Sequence, residues 1–181
     1  MTSSLVGSEM CIRDRESAMK KIQALPLSRE AFAPFGEYYD MLHPDGYALE
    51  GEIHKFYPDR LSESSVTRVG YSPIEVRKED RMIIKAVEYH TTTSELILPL
   101  NDDMIIHVGP ASGGQTVTEF TKAFVVPQGT LVKINTAIWH LAPLTVNEEI
   151  LHAMIILPEC TYANDCTVVQ LSDAEQFEIE R

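Results

Sequence analysis

The chain has 181 residues, 44% hydrophobic and 23% charged, enough for one domain with a sizeable core. Its net charge of -12 argues against nucleic acid and anionic membrane surfaces as partners. No apolar run approaches the ~18 residues that span a bilayer, and a small anionic ligand would need a local cation.

Residues 1–18 lack the apolar core of a signal peptide. The stretch Leu5-Val-Gly-Ser-Glu-Met-Cys-Ile-Arg-Asp14 resembles translated adapter read-through, and Met19 offers a second start. We therefore expect a non-native or disordered extension over 1–18 and a single domain over 19–181. A strand is expected over 22–27. Ser28 then caps one helical turn or two through about Phe35, ended by Gly36. Pro44-Asp45-Gly46 marks a turn, and 53–57 reads as a strand.

From Val66 the pattern becomes one of short runs rich in Val, Ile and Leu: 66–71, 81–90, 95–100 and 104–108. Asn101-Asp102-Asp103 makes a turn, and 110–115, with Gly113-Gly114, a loop. Further strands follow over 120–126, 131–134, 150–157 and 167–171. Ser172-Asp-Ala-Glu175 is a capping-box pattern that should start a short terminal helix, whose acidic residues would be its solvated face. Short strands with frequent turns and no long helix predict an all-β sandwich or barrel with short flanking helices.

The three cysteines, Cys11, Cys160 and Cys166, have no framework spacing. Their odd count predicts free thiols in a reducing compartment, hence a cytoplasmic protein. A Cys160–Cys166 bridge is the disfavoured alternative, and without CxxC a zinc reading is weak.

Glu88 and His90 are two residues apart, so on one strand they share a face. Glu95 follows after a short turn, and His140 much later. A small barrel can bring four such side chains to one interior point. Two carboxylates and two imidazoles there are equipped for proton transfer or metal binding. The alternation of Val87 and Tyr89 with Glu88 and His90 leaves open which face is inside; the rival is a solvated Glu88 and a structural His90. His140 follows Trp139 in the apolar stretch 138–144, so packing beside the indole is its rival reading. His107 and His152 are read as structural or supporting, and His43 and His54 carry no signal. Lys133 lies on the face opposite Val132 and Ile134. If that face lines a cavity, Lys133 is the cation for an anionic substrate; otherwise it is a surface lysine. Arg68 and Lys85 are weaker candidates. No Gly-x-Ser-x-Gly, Cys/His pair or phosphate-loop pattern is present.

These positions keep the spacing of the two cupin motifs. The first falls on Met82, Glu88, His90, Glu95 and Asp102, the second on Gly129, Asn135, Ala137 and His140, although several residue types differ. The chain thus resembles a cupin-type β-barrel (double-stranded β-helix or jelly roll). A more specific likeness is to the ureidoglycolate lyase family. It is carried by 22–36 with its Leu-Ser-Arg-Glu-Ala-Phe segment, by Glu88-Tyr-His90 with Glu95-Leu-Ile-Leu-Pro99-Leu, and by Phe124-Val-Val-Pro127 through Trp139-His140. That family commonly has Gln where Glu95 stands, differs at Ile134 and Asn135, and aligns poorly over 42–80.

The resemblance implies cleavage of ureidoglycolate to glyoxylate and urea, in purine (allantoin) breakdown. A base removes the hydroxyl proton of a hemiaminal while an acid protonates the departing nitrogen. His90 or Glu95 would be the base, and His140 would serve the leaving urea. Lys133 or a metal would hold the substrate carboxylate beside Trp139. Either no cofactor is needed, or Glu88, His90, Glu95 and His140 hold one divalent ion, with Mn, Fe, Ni and Zn all suited. A homodimer is implied by analogy with cupins. The alternatives are another metal-dependent cupin lyase, isomerase or dioxygenase acting on a small organic acid, and a non-catalytic small-molecule-binding cupin.

Overall fold

Two sheets closing on one apolar interior define the architecture of the computed structural model, which describes residues 19–181. The expected extension over 1–18, with Cys11, lies outside the described residues. The first half contains β1 (Lys20–Pro26), α1 (Arg29–Phe32), β2 (Gly36–Asp40), β3 (Leu49–Glu50), β4 (Lys55–Phe56), β5 (Val69–Arg77), β6 (Met82–Ile84), β7 (Ala86–Tyr89) and β8 (Glu95–Pro99). The second contains β9 (Met104–Val108), β10 (Lys122–Val126), β11 (Thr130–Ile134), β12 (Leu144–Thr145), β13 (Ile150–Pro158), α2 (Thr161–Asn164), β14 (Thr167–Gln170) and β15 (Phe177–Glu180).

The larger sheet runs β12-β9-β10-β1-β15-β6, and the facing one β2-β11-β8-β13-β5. This is the all-β, cupin-type barrel the spacing predicts. Alternation along the strands fills its interior. Met104, Ile106, Val108, Phe124 and Val126 point in from one sheet, and Ile97, Val132, Ile134, Leu151 and Ile155 from the other. A second apolar layer on the far side of the larger sheet gathers Ile105, Ala123, Trp139, Phe177 and Ile179.

Four local expectations are corrected. Gly36 does not end a helix; it opens β2 and pairs with Ile134. A Cβ there would collide with the Lys133 carbonyl oxygen, so close approach of two backbones is what requires glycine. The strand expected over 66–71 runs on through Pro73 to Arg77. Pro73 is tolerated because β5 is an edge strand, whose outer side has no ladder to donate to. The run 81–90 breaks at Lys85, since β6 pairs with β15 and β7 with β14. The terminal helix is absent. Glu175 does accept from the Ser172 N–H, one half of a capping box, and from its hydroxyl, but for one turn only. The chain then enters β15, burying Phe177 and Ile179 while Glu178 accepts from Arg81 and Glu180 pairs with Lys21. Packing of alternating Phe and Ile overrode a local helix signal.

Asp102 organises the turn that leads into β13. Its carboxylate is buried and accepts from the backbone N–H groups of Val146, Asn147 and Glu148 at 2.7–3.0 Å, and from the Asn147 amide and Thr145 hydroxyl. Burial pushes this carboxyl up, but the Glu148 and Asn147 donors outweigh it and hold it well below the usual range. His107 is the opposite case. It is 1% exposed, neither ring nitrogen has a partner among the described residues, and burial, helped by the His140 charge, lowers its pKa to about 3.

Asp102→Asn is expected to cost about 2 kcal/mol by denaturant unfolding at pH 7. The gap should close as pH falls below about 4, because the depressed carboxyl stabilises only while ionised. His107→Leu should gain about 1 kcal/mol by relieving an unpaired polar group. It should also flatten the acid limb below about pH 6.5, where the unfolded chain takes up a proton that the folded ring refuses.

Candidate active site

Each half of the cluster is placed by main-chain geometry. Glu88 sits in β7, and its N–H and C=O exchange hydrogen bonds with His140 at 2.7 and 2.9 Å. His90 follows β7, and its carbonyl accepts from Ala137 N–H at 2.7 Å. Ala137 takes φ +64, a left-handed conformation that glycine adopts at less cost. Glu95 opens β8 opposite Ile134, which points into the barrel. The four side chains converge as expected. One donor atom from each lies within 4.8 Å of the others, and all four residues are buried.

The hydrogen bonds decide what the imidazoles can do. His90 Nδ1 lies 2.8 Å from the Asp165 carbonyl oxygen, and His140 Nδ1 lies 2.8 Å from that of Ile138. A carbonyl only accepts, so both Nδ1 atoms carry hydrogen. Both Nε2 atoms therefore face inward, and both meet one oxygen, Glu95 Oε2, at 3.1 and 3.3 Å. Three lone pairs cannot share that space. Either each Nε2 carries a second proton or a cation lies between them. Burial pushes the Glu95 carboxyl up, but His140 and His90 outweigh it and bring it down to about 2. Burial pushes His140 down, and the Glu95 carboxylate outweighs it, so its pKa is raised. Two imidazole nitrogens and two carboxylates, with both imidazoles oriented by backbone acceptors, fit a divalent metal ion.

Two expected residues lie elsewhere. Lys133 pairs with Leu96 in the ladder, beside the Ile134–Glu95 pair, so its side chain leaves the opposite face of the sheet. There it donates to the Ser62 carbonyl at 2.8 Å and pairs with Glu37 and Glu63. It cannot hold a substrate carboxylate in the barrel. Trp139 faces away from its neighbour His140. It is buried in the outer apolar layer against Tyr89, at 4.5 Å between ring centroids, and donates to Ser112 Oγ. It packs rather than lining the cluster. Arg68 pairs with Glu159 at the surface, Lys85 is exposed, and His152 faces solvent near Glu75 rather than supporting the site.

Three residues from 162–166 complete the site and carried no motif. The Cys166 thiol donates to Glu88 Oε2 at 3.3 Å, and burial together with the Glu88 charge pushes its pKa up to about 12. Tyr162 presents its ring edge-on to His90 at 6.1 Å, and burial with the Glu95 and Glu88 charges raises its phenol. Asp165 supplies the carbonyl for His90. These residues lie more than 70 positions from His90 and Glu88, so only pairing of β14 with β7 reveals them. Among the described residues, Cys160 and Cys166 are unbridged.

Divalent ions must compete with protons for the Nε2 atoms, and His140 favours its proton. Apparent affinity for added Mn, Fe, Ni or Zn is expected to fall as pH drops from about 8 to 6, with proton release on binding. Calorimetry in buffers of different ionisation enthalpy measures both, and an affinity independent of pH would contradict this arrangement.

The family model described as ureidoglycolate lyase matches residues 19–180. The chain is 26% identical over 140 residues to the ureidoglycolate lyase of Pseudomonas savastanoi pv. phaseolicola, spanning 72% of this chain and 79% of that protein. It is 30% identical over 131 residues to that of Rhodobacter capsulatus, spanning 70% and 81%. Among solved structures, Bacillus subtilis oxalate decarboxylase overlaps 58% of this chain and 24% of its own, at 15% identity and TM-score 0.41. A dTDP sugar isomerase from Desulfovibrio desulfuricans G20 overlaps 80% and 81%, at 10% identity and TM-score 0.41. A match over nearly all the described residues, on a barrel that joins both halves of the motif, shows that the chain belongs to the ureidoglycolate lyase family.

Proposed function

We propose that this chain is a carbon–nitrogen lyase that cleaves ureidoglycolate to glyoxylate and urea at the cluster of Glu88, His90, Glu95 and His140. The observation that carries the reading is the meeting of two inward Nε2 atoms on one ionised carboxylate oxygen. In the substrate, one carbon bears both a hydroxyl and the ureido nitrogen. Glu95 Oε2 accepts the hydroxyl proton as that carbon becomes the aldehyde of glyoxylate. The C–N bond breaks, and His140 Nε2 delivers its proton to the departing nitrogen, giving urea. His90 Nε2, already engaged with the same oxygen, orients that carboxylate. The raised pKa of His140 and the lowered pKa of Glu95 keep acid and base in their working forms near neutral pH.

A metal-assisted version is favoured by a second observation. Lys133, the cation expected for a substrate carboxylate, lies outside the barrel. Glu88, His90, Glu95 and His140 would hold a divalent ion, which would supply that positive charge and polarise the substrate. Within this reading the protein acts in allantoin breakdown as a cytoplasmic homodimer on a small anionic substrate. Free Cys160 and Cys166 support a reducing compartment, and the exposed Val69 and Tyr71 of edge strand β5 support pairing between copies.

Glyoxylate and urea release from ureidoglycolate tests the reaction. His140→Ala is expected to lower kcat at least about 100-fold, and near-normal turnover would remove His140 from the chemistry. Activity that vanishes on metal stripping and returns with one ion selects the metal-assisted version. Full activity in stripped protein selects the proton-transfer version alone.

A further inference from the structure

We propose that Asp165 and Cys166 are the positioning residues of this site. Asp165 locks His90 in the Nδ1–H tautomer, and Cys166 orients Glu88. The inference rests on the four-residue site described above, but not on what occupies it.

Asp165 is held from two directions. Its carboxylate accepts from the backbone N–H groups of Thr91 and Thr92 at 2.7 and 2.8 Å, from the Thr92 hydroxyl at 2.6 Å, and from the Thr91 hydroxyl. Four donors fill the acceptor capacity of one carboxylate. Thr91 and Thr92 are the two residues that follow His90. The main-chain carbonyl of the same Asp165 accepts from His90 Nδ1 at 2.8 Å. Side chain and carbonyl thus close a ring of hydrogen bonds through His90, Thr91 and Thr92.

A closed ring of this kind has one register. The imidazole cannot turn about χ2 or give up its Nδ1 hydrogen without breaking it, so Nε2 is the nitrogen held toward Glu95 and the cluster. The next residue continues the clamp, with Cys166 Sγ donating to Glu88 Oε2 at 3.3 Å. Then β14 pairs Thr167 with Tyr89 and Val168 with Glu88, which fixes the register of the clamp against the strand it serves. Consecutive residues therefore orient two of the four ligating groups from outside the barrel.

The test uses the metal-stripped full chain and cobalt(II) as the probe. Cobalt binding is followed by its visible absorption, and the His90 tautomer by ring nitrogen resonances without metal. Asp165→Ala is expected to weaken cobalt binding roughly 10–100-fold and to give a mixture of His90 tautomers. Asp165→Asn, which keeps one acceptor oxygen, should fall between that variant and the wild type. Asp102→Asn serves as the control for general destabilisation; it should lower the unfolding midpoint and leave cobalt affinity unchanged. Wild-type affinity and an unchanged Nδ1–H signature in Asp165→Ala would overturn the proposal, as would an equal loss of affinity in Asp102→Asn. If the wild type takes up no cobalt, the metal-assisted reading fails, and the tautomer signature alone decides the role of Asp165. If Asp165→Ala does not fold, Asp165→Asn is judged by the same two criteria.

Discussion

One carboxylate oxygen facing two imidazole nitrogens is the contact on which the site depends. Glu95 Oε2 lies 3.1 Å from His90 Nε2 and 3.3 Å from His140 Nε2, in a region with almost no water access. Such an arrangement persists only if positive charge, as protons or a metal ion, sits among the three atoms. That requirement ties the electrostatics to the chemistry. It holds Glu95 ionised and makes His140 a proton carrier, or it makes both rings ligands.

The barrel is what makes this concentration of charge tolerable. The lower interior is packed with Phe, Ile, Leu and Val, while the polar cluster gathers where β7, β8 and the His140 turn meet. Backbone carbonyls of Ile138 and Asp165 take the outward ring hydrogens, so neither imidazole carries an unpaired outward nitrogen into the core. His107 shows the contrast. With no acceptor for either nitrogen it is forced neutral, and it serves packing against Phe177 at 5.6 Å between ring centroids.

Placing Lys133 outside the barrel changes the account of substrate binding. Period-two alternation already set Lys133 opposite Val132 and Ile134, but alternation says only that two faces differ. The ladder register beside Glu95 shows which face is interior, and the ion pairs with Glu37 and Glu63 show what the lysine does. It ties segment 62–63 to the outer wall of the smaller sheet. Trp139 is displaced by the same logic, since the residue beside an inward His140 must point outward.

Local pattern determined the strand-rich character and most strand positions after Val66, and motif spacing offered the four cluster residues without saying which face is inside. Strand alternation and motif spacing are properties of nearby residues, so they can be read along the chain. Tertiary structure decided the rest. Edge position admitted Pro73 into β5, and close backbone approach demanded Gly36. Burial of Phe177 and Ile179 turned a capped helix start into β15. Asp165 and Cys166 reach the cluster only because β14 lies beside β7, and long-range pairing of that kind leaves no trace in local sequence.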